Sequence, residues 1–219
     1  MIVIPVKNLA NAKQRLAPAL EPEERTALAT AMLKDVFEAV ASWSRRPQVA
    51  VVTGDAEARS LARQCGFELL DEPEKEEAGE SAAVEHATRA LEAQGATSVL
   101  VIPGDIPLVT AAELEAIYAA APPAGAVLVP SRDGRGTNAA LRTPASLFPL
   151  RFGDDSFVPH RAAAVATGLP LVVLTLPGIA LDVDTPQDLA ALVAAPGERR
   201  SQRLAREWKL EARLAAARG

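Results

Sequence analysis

Cysteine is almost missing from this chain. Cys65 stands alone among 219 residues, which excludes a disulfide framework and a multi-cysteine zinc site and fits a reducing compartment. Long apolar runs are missing too. No stretch approaches the roughly 18 uninterrupted apolar residues of a membrane span, so no membrane insertion is expected. There is no surplus of positive charge: 23 Lys and Arg stand against 28 Asp and Glu, a net of −5. That balance argues against nucleic acid as a partner. The opening MIVIPVKNL reads as a strand with a lysine behind it, not as a basic segment before a long apolar core. No secretion signal is therefore expected, and the expected location is cytoplasmic. Disorder has no support in a chain that is 49% hydrophobic and 23% charged. The length allows one large domain or two small ones, with a core that needs no disulfide or structural metal.

What is present is a series of short, β-branched apolar runs. Residues 2–6, 48–53, 98–102, 126–129 and 171–176 read as strands buried on both faces. Amphipathic helical patterns lie between them. Residues 22–43 open on Pro22 and place Leu28, Met32 and Val36 at helical spacing. Residues 55–65 run from Asp55 as N-cap to Gly66. Residues 81–94 start at Ser81, and residues 110–121 open on a Thr110–Glu113 capping box. Strands alternating with helices of this length predict an α/β fold, a mostly parallel sheet with helices on both faces. Residues 1–195 are expected to form that domain. Residues 196–219 are expected to be a basic helical extension, because 198–219 carry a net of +4. Wound as a helix, the extension places Leu204, Trp208 and Ala215 on one side. It reads as a solvated helix packed by its tryptophan, and an oligomer contact or an anionic-surface contact is the alternative.

In such a sheet, ligands sit beyond the carboxyl ends of the strands. After the first strand comes PVKNLANAKQRL, which holds no glycine, so neither glycine-rich phosphate cradle is present. It does hold Lys7, Lys13 and Arg15, cations suited to a polyphosphate; a solvated basic loop is the other reading. PGDIP, after the strand at 98–102, presents Asp105 between glycine and proline. LDVDTP places Asp182 and Asp184 at i and i+2, on one face of an extended chain. Two unit charges about 5 Å apart at an effective dielectric near 20 repel by about 3 kcal/mol. A hard divalent cation is the natural partner of such a pair. The competing reading has Asp184 capping the helix that begins at Pro186. SRDGRGTNAAL combines two glycines, two arginines and a Thr137–Asn138 pair entering an extended segment, suited to a small anion or, alternatively, to a surface hairpin. FGDDSFVPH supplies Gly153 for close backbone approach and Ser156 as the N-cap of a helix running to Gly168. His160, one turn into that helix, is expected to be packed or hydrogen-bonded rather than catalytic.

Together these segments resemble the CofC/FbiD family of guanylyltransferases, in order and spacing over residues 1 to about 193. The resemblance implies a GT-A-like, Rossmann-like nucleotidyltransferase fold. It implies transfer of GMP from the co-substrate GTP to a small phosphorylated carboxylic acid, with release of pyrophosphate. Phosphoenolpyruvate, 2-phospho-L-lactate or 3-phospho-D-glycerate is the acceptor it implies, in assembly of the deazaflavin coenzyme F-420. Carried onto this sequence, Asp105, Asp182 and Asp184 match magnesium ligands, for two ions. Thr137, Gly153 and Ser156 match positions that hold the acceptor, largely through backbone amides, with Asn138 beside them. Lys7, Lys13 and Arg15 match the region facing the GTP phosphates, with Lys13, Arg15 and Asp105 in the catalytic role. One departure stands out. A Gly-Leu-Asn-like segment near the nucleotide base is replaced by EEAGESAAVEH at 76–86. Gly79 and Ser81 are expected to keep the backbone role there, whereas Glu76, Glu77 and Glu80 read as a solvated loop and helix start. A nucleotidyltransferase for another nucleotide or a sugar phosphate, or a non-catalytic nucleotide-binding module, are the alternatives. The expected partners are small molecules, with a homodimer left open.

Overall fold

Ile2–Pro5, Val49–Val52 and Val99–Val101 are buried at every position. Strands without an exposed face must lie inside a sheet that is covered on both sides. The computed structural model describes residues 1–73, 79–153, 155–210 and 213. Glu76, Glu77, Asp154 and Ala215, weighed above, lie outside the described residues.

The elements run β1 (Ile2–Pro5), α1 (Pro22–Ser42), β2 (Val49–Val52), α2 (Ala56–Gln64), β3 (Glu68–Leu70), α3 (Glu80–Ala93), β4 (Val99–Val101) and α4 (Ala111–Ala119). Then come β5 (Gly125–Pro130), β6 (Thr137–Thr143), α5 (Phe157–Ala166), β7 (Leu171–Val173), α6 (Pro177–Ala180), α7 (Pro186–Ala194) and α8 (Arg200–Glu207). Among the described residues, seven strands form one sheet in the order β3-β2-β1-β4-β6-β5-β7. β3, β2, β1 and β4 are mutually parallel, and β7 is parallel to β5. β6 runs antiparallel to both of its neighbours.

Period-two alternation splits the strand side chains between two layers. Ile2 and Ile4 pack with Leu33, Val36, Phe37, Leu61 and Leu114, on the face covered by α1, α2 and α4. Val3, Val52, Val99 and Val101 pack with Val84, Leu91 and Ala164, on the face covered by α3 and α5. Asp55 accepts from the Ala58 amide and Thr110 forms the capping box with Glu113, as their positions predict. Helix α3 starts one residue earlier than expected, with Gly79 at its cap.

Two strands depart from the sequence pattern. β3 is a three-residue edge strand, too short to register as a run. β6 carries Arg142, fully buried, where the pattern demands an apolar side chain. Its guanidinium donates through Nη1 and Nη2 to the Phe148 carbonyl, Thr88 Oγ1 and Glu85, which offsets much of the cost of burying the charge, while Nε has no hydrogen-bond partner among the described residues.

The basic C-terminal helix packs its Trp208 against a cluster shared with α1 and α7, as expected, but its fully buried face is a different one. Ser201, Gln202 and Ala205 form the buried face of α8, whereas Leu204 and Trp208 are half-buried. The buried Asp35 carboxylate accepts from the Arg200 and Ser201 amides and the Ser201 hydroxyl, satisfying the helix start. Ala205 and Leu210 share a cluster with Leu28 and Met32 of α1 and Leu192 of α7. Polar burial of this kind leaves no hydrophobic stripe to read.

β5 begins at Gly125 with φ +138°, where any Cβ would collide with the Pro170 carbonyl oxygen. Gly125→Ala is expected to destabilise the fold by about 3 kcal/mol or more, measured by denaturant unfolding.

Candidate active site

β1 leads into a loop built from two 3-10 turns, Leu9–Asn11 and Gln14–Leu16. Asn8 caps the first turn, and Asp55 Oδ2 accepts the Leu9 amide at 3.0 Å, tying the loop to the end of β2. Between the turns Lys13 takes a left-handed backbone, φ 57° and ψ 38°. Its ammonium turns inward, 2.5 Å from Asp105 Oδ2 and 2.7 Å from Asp184 Oδ1, with the side chain 7% exposed. Burial alone would pull the Lys13 pKa down. The charges and hydrogen bonds of the two carboxylates outweigh it, and the pKa lies above the ordinary lysine range. Lys13 is a fixed cation.

The carboxylates are held just as firmly. Asp105 follows β4, and its carbonyl accepts the Val183 amide at 3.2 Å, joining the two acidic segments. The Asn138 amide donates to the Ile179 and Ala180 carbonyls and, at 2.9 Å, to Asp182 Oδ1. Asn138 lines the cleft, but its donors are committed to the aspartate segment rather than to a substrate. Thr185, not Asp184, caps α7, in a capping box with Asp188. The capping reading of Asp184 is thereby corrected, and its carboxylate meets Lys13 instead.

This acidic group is under-compensated. Burial, and then the charges of Asp105 and Asp184, push the Asp182 carboxyl up to about 6 in spite of its bond from Asn138. Burial and Asp105 push Glu80 up to about 7, with Lys7 and Lys13 pulling the other way. Asp105 Oδ1 is buried and has no hydrogen-bond partner among the described residues. A lone buried carboxylate oxygen among hard oxygen donors fits a divalent cation. Among the described residues no three acidic, cysteine or histidine side chains already converge as a metal cluster; the Lys13 ammonium stands between two of the three aspartates.

Two adjoining hollows share Asp105, Glu80 and Pro103 as their common wall. One, about 390 Å³, is lined by Lys7, Lys13, Asn8 and Gly104. The other, about 370 Å³, is lined by Arg15, Thr137, Gly153, Ser156, Asp182 and Asp184. The basic loop therefore divides: Lys7 and Lys13 face the first hollow and Arg15 the second. Glu80 is a site residue that sequence reasoning missed. It was read as solvated because its neighbours are acidic; its place at the start of α3 turns it into the cleft. Gly79 lies beside Lys7, its missing Cβ position 4.0 Å from the Lys7 ammonium. The Ser81 hydroxyl accepts the Phe152 amide at 2.8 Å, which ties the start of α3 to the wall of the second hollow.

The second hollow has a preformed wall. Gly136 donates its amide to Ser131 Oγ at 2.7 Å, closing the turn before β6. Arg135 pairs with Asp155 at 2.6 and 3.0 Å, and Arg132 with Asp188 at 2.8 Å, so these arginines are engaged within the chain. Ser156 occupies the cap position of α5 without a side-chain capping bond. Its Oγ instead accepts the Thr137 amide at 3.1 Å. The Thr137 amide is thus spent, and what Thr137 offers the hollow is its hydroxyl.

His160 is packed, as expected, 1% exposed with both ring nitrogens engaged. Burial, helped by the nearby Arg142 charge, pushes its pKa down to about 4. A folded pKa below the unfolded 6.5 means that the unfolded chain binds the extra proton first as the pH falls. The stability due to neutral His160 is whole above pH 6.5 and is lost as the pH falls towards 4. Relative to His160→Asn, the parent is expected to lose on the order of 3 kcal/mol across that window, read from urea unfolding at each pH.

A phosphate-scale cleft at the carboxyl ends of β1 and β4, with a buried lysine between aspartates, on a mostly parallel sheet, defines a nucleotidyltransferase of the nucleotide-diphospho-sugar transferase fold. Solved structures share that fold. A nucleotide-diphospho-sugar transferase candidate from Desulfovibrio desulfuricans G20 aligns at a TM-score of 0.78 and 18% identity, over 99% of this chain and 96% of that one. A nucleotidyl transferase from Methanothermobacter aligns at 0.58 and 19% identity, over 88% and 95%. Sequence comparison is more specific. The family model described as Guanylyl transferase CofC like matches residues 1–216, and the chain belongs to that family. The match takes in most of the C-terminal extension, which the motifs alone had left outside. The phosphoenolpyruvate guanylyltransferase of Sphaerobacter thermophilus is 37% identical over 87% of this chain and 90% of its own length. That of Roseiflexus castenholzii is 37% identical over 94% and 93%. No helix among the described residues is long and apolar enough to cross a membrane.

Proposed function

We propose that this chain transfers GMP from GTP to phosphoenolpyruvate, or to the related 2-phospho-L-lactate or 3-phospho-D-glycerate, releasing pyrophosphate. The product would enter assembly of the side chain of coenzyme F-420. The observation that carries the reading is the place of Asp105, at the wall between a hollow suited to a nucleotide and one suited to a small anion, with the Lys13 ammonium bound to it from the first hollow. The names of the relatives support the choice of acceptor. A cytoplasmic setting and small-molecule partners belong to the same reading.

The reaction needs no protein nucleophile. A phosphate oxygen of the acceptor attacks the α-phosphorus of GTP, a new P–O bond forms, and the bond to pyrophosphate breaks with its electron pair. The acceptor phosphate is already ionised at neutral pH, so no general base is required. Catalysis rests on holding two anions in line and neutralising the charge that gathers between them. Lys13 does so as a permanently charged donor in the first hollow, held against Asp105 and Asp184, and Arg15 adds charge from the acceptor side. Thr137, Gly153 and Ser156 orient the acid. Asp105, Asp182 and Asp184 would hold magnesium, which when bound supplies Lewis-acid stabilisation of the transferring phosphate.

Pyrophosphate release from GTP and magnesium, with each of the three acids tested separately, decides the matter. Release with one or more acids is the expected result. Silence with all three, and with the other nucleoside triphosphates, would replace this reading by a non-catalytic nucleotide-binding module.

A further inference from the structure

We infer that His160 is a positioning residue for the acceptor: it holds Thr137 so that the threonine hydroxyl turns its proton into the anion hollow. The inference deepens the proposed function and rests on its placing of the acid against Thr137.

The hydrogen-bond directions are fixed by the partners. The Arg151 amide can only donate, and it does so to His160 Nε2 at 2.7 Å. Nε2 therefore carries no proton, and the neutral ring carries its hydrogen on Nδ1. Nδ1 lies 2.9 Å from Thr137 Oγ1, so the ring donates and the hydroxyl oxygen accepts. The Thr137 proton must then go elsewhere. Among the described residues no carbonyl or carboxylate takes it, and Thr137 lines the anion hollow. A phosphate or carboxylate oxygen there would complete the chain from the Arg151 amide through the imidazole and hydroxyl to the acceptor.

The ring itself cannot turn away. The Phe152 ring meets it edge-on, centroids 5.4 Å apart at 74°. Arg142, fully buried on the same strand as Thr137, discourages a second proton on the imidazole. Ser156 Oγ holds the Thr137 amide from the other side. Thr137 is thus pinned at its backbone and its hydroxyl by two residues of one segment, 156–160. A packing histidine would require neither the tautomer nor the hydroxyl.

The chain has only two histidines, His86 and His160, so the imidazole nitrogens can be resolved by 15N NMR of the full chain. The expected signature is a neutral His160 protonated at Nδ1 throughout pH 6–8, with the Nδ1 signal moving on addition of phosphoenolpyruvate. Two variants separate positioning from packing. His160→Asn can still donate from the place of Nδ1, whereas His160→Gln keeps a group near Nε2 for the Arg151 amide and loses the donor to Thr137. The KM for the acid is expected to rise about tenfold in His160→Gln and to return most of the way in His160→Asn, with the KM for GTP unchanged in both. In a Thr137→Val background, His160→Gln should add nothing further. An Nε2-protonated tautomer, or an unaltered acid KM in an active His160→Gln, would overturn this inference and leave the proposed function standing. Absence of pyrophosphate release by the parent with every acid would remove the proposed function and the acceptor role together.

Discussion

Asp105→Asn is expected to lower kcat for pyrophosphate release by about 10³-fold or more, with the melting temperature within a few degrees of the parent. Asp105 combines three features found together in no other described side chain of the cleft. Its Oδ2 takes the Lys13 ammonium at 2.5 Å, its Oδ1 is buried without a partner, and it belongs to the wall between both hollows. The amide keeps the volume and removes the charge. Lys13 retains Asp184 at 2.7 Å, and the bond from the Val183 amide goes to the Asp105 backbone carbonyl. The scaffold therefore loses little, while the oxygen available to a cation loses its charge. Far-UV circular dichroism with steady-state assays would show the separation. An Asp105→Asn protein that keeps a tenth of its turnover would sink the assignment of this carboxylate to the metal.

Asp105 is legible because it sits where β4 ends, by the rule that ligands gather beyond the carboxyl edge of an α/β sheet. The Asp182–Asp184 pair follows α6 and declares itself instead by two carboxylates at i and i+2. What spacing could not provide was partnership. Lys13 and Asp184 are 171 residues apart, and nothing local distinguishes Lys13 from Lys7. The left-handed backbone that turns Lys13 inward is a property of the folded loop. Asn138 reads as a ligand contact, since a side-chain amide near a glycine reads the same whether it faces a ligand or another loop. Its bond to Asp182 becomes visible only in three dimensions.

The fold shows the same division. Buried parallel strands declare themselves by continuous apolar runs, and β1, β2 and β4 did so. β6 declares only its entry, at Thr137–Asn138, because Arg142 interrupts the apolar run, and α8 hides its buried face because hydrogen bonds, not hydrophobicity, hold Ser201 and Gln202 in place. Where polar groups are buried, the sequence pattern fails for the reason that makes burial tolerable: the partner lies outside the element, where apolar periodicity does not register it.

Asp182→Asn is expected to abolish turnover and yet stabilise the protein when divalent metal is withheld. The Asp182 carboxyl is pushed to about 6, against 3.8 in the unfolded chain, by burial first and then by Asp105 and Asp184. A folded pKa raised in this way gives stability that is present at acid pH and lost as the pH climbs through about 6. At pH 7.5 the ionised carboxylate therefore costs the metal-free fold on the order of 1–3 kcal/mol. Asparagine removes that cost, and its own carbonyl can still accept from the Asn138 amide. With EDTA at pH 7.5 the variant should melt roughly 3–8 °C above the parent, and at pH 4 the gap should close. Magnesium is expected to reverse the order of advantage, because the parent should gain stability from a bound ion and the variant much less. Differential scanning fluorimetry across EDTA and magnesium at the two pH values reads all four states. Equal magnesium stabilisation of both proteins would exclude Asp182 from the metal site. A variant less stable than the parent in EDTA would show that Lys13 already compensates the whole acidic group, leaving no charge for a metal to relieve.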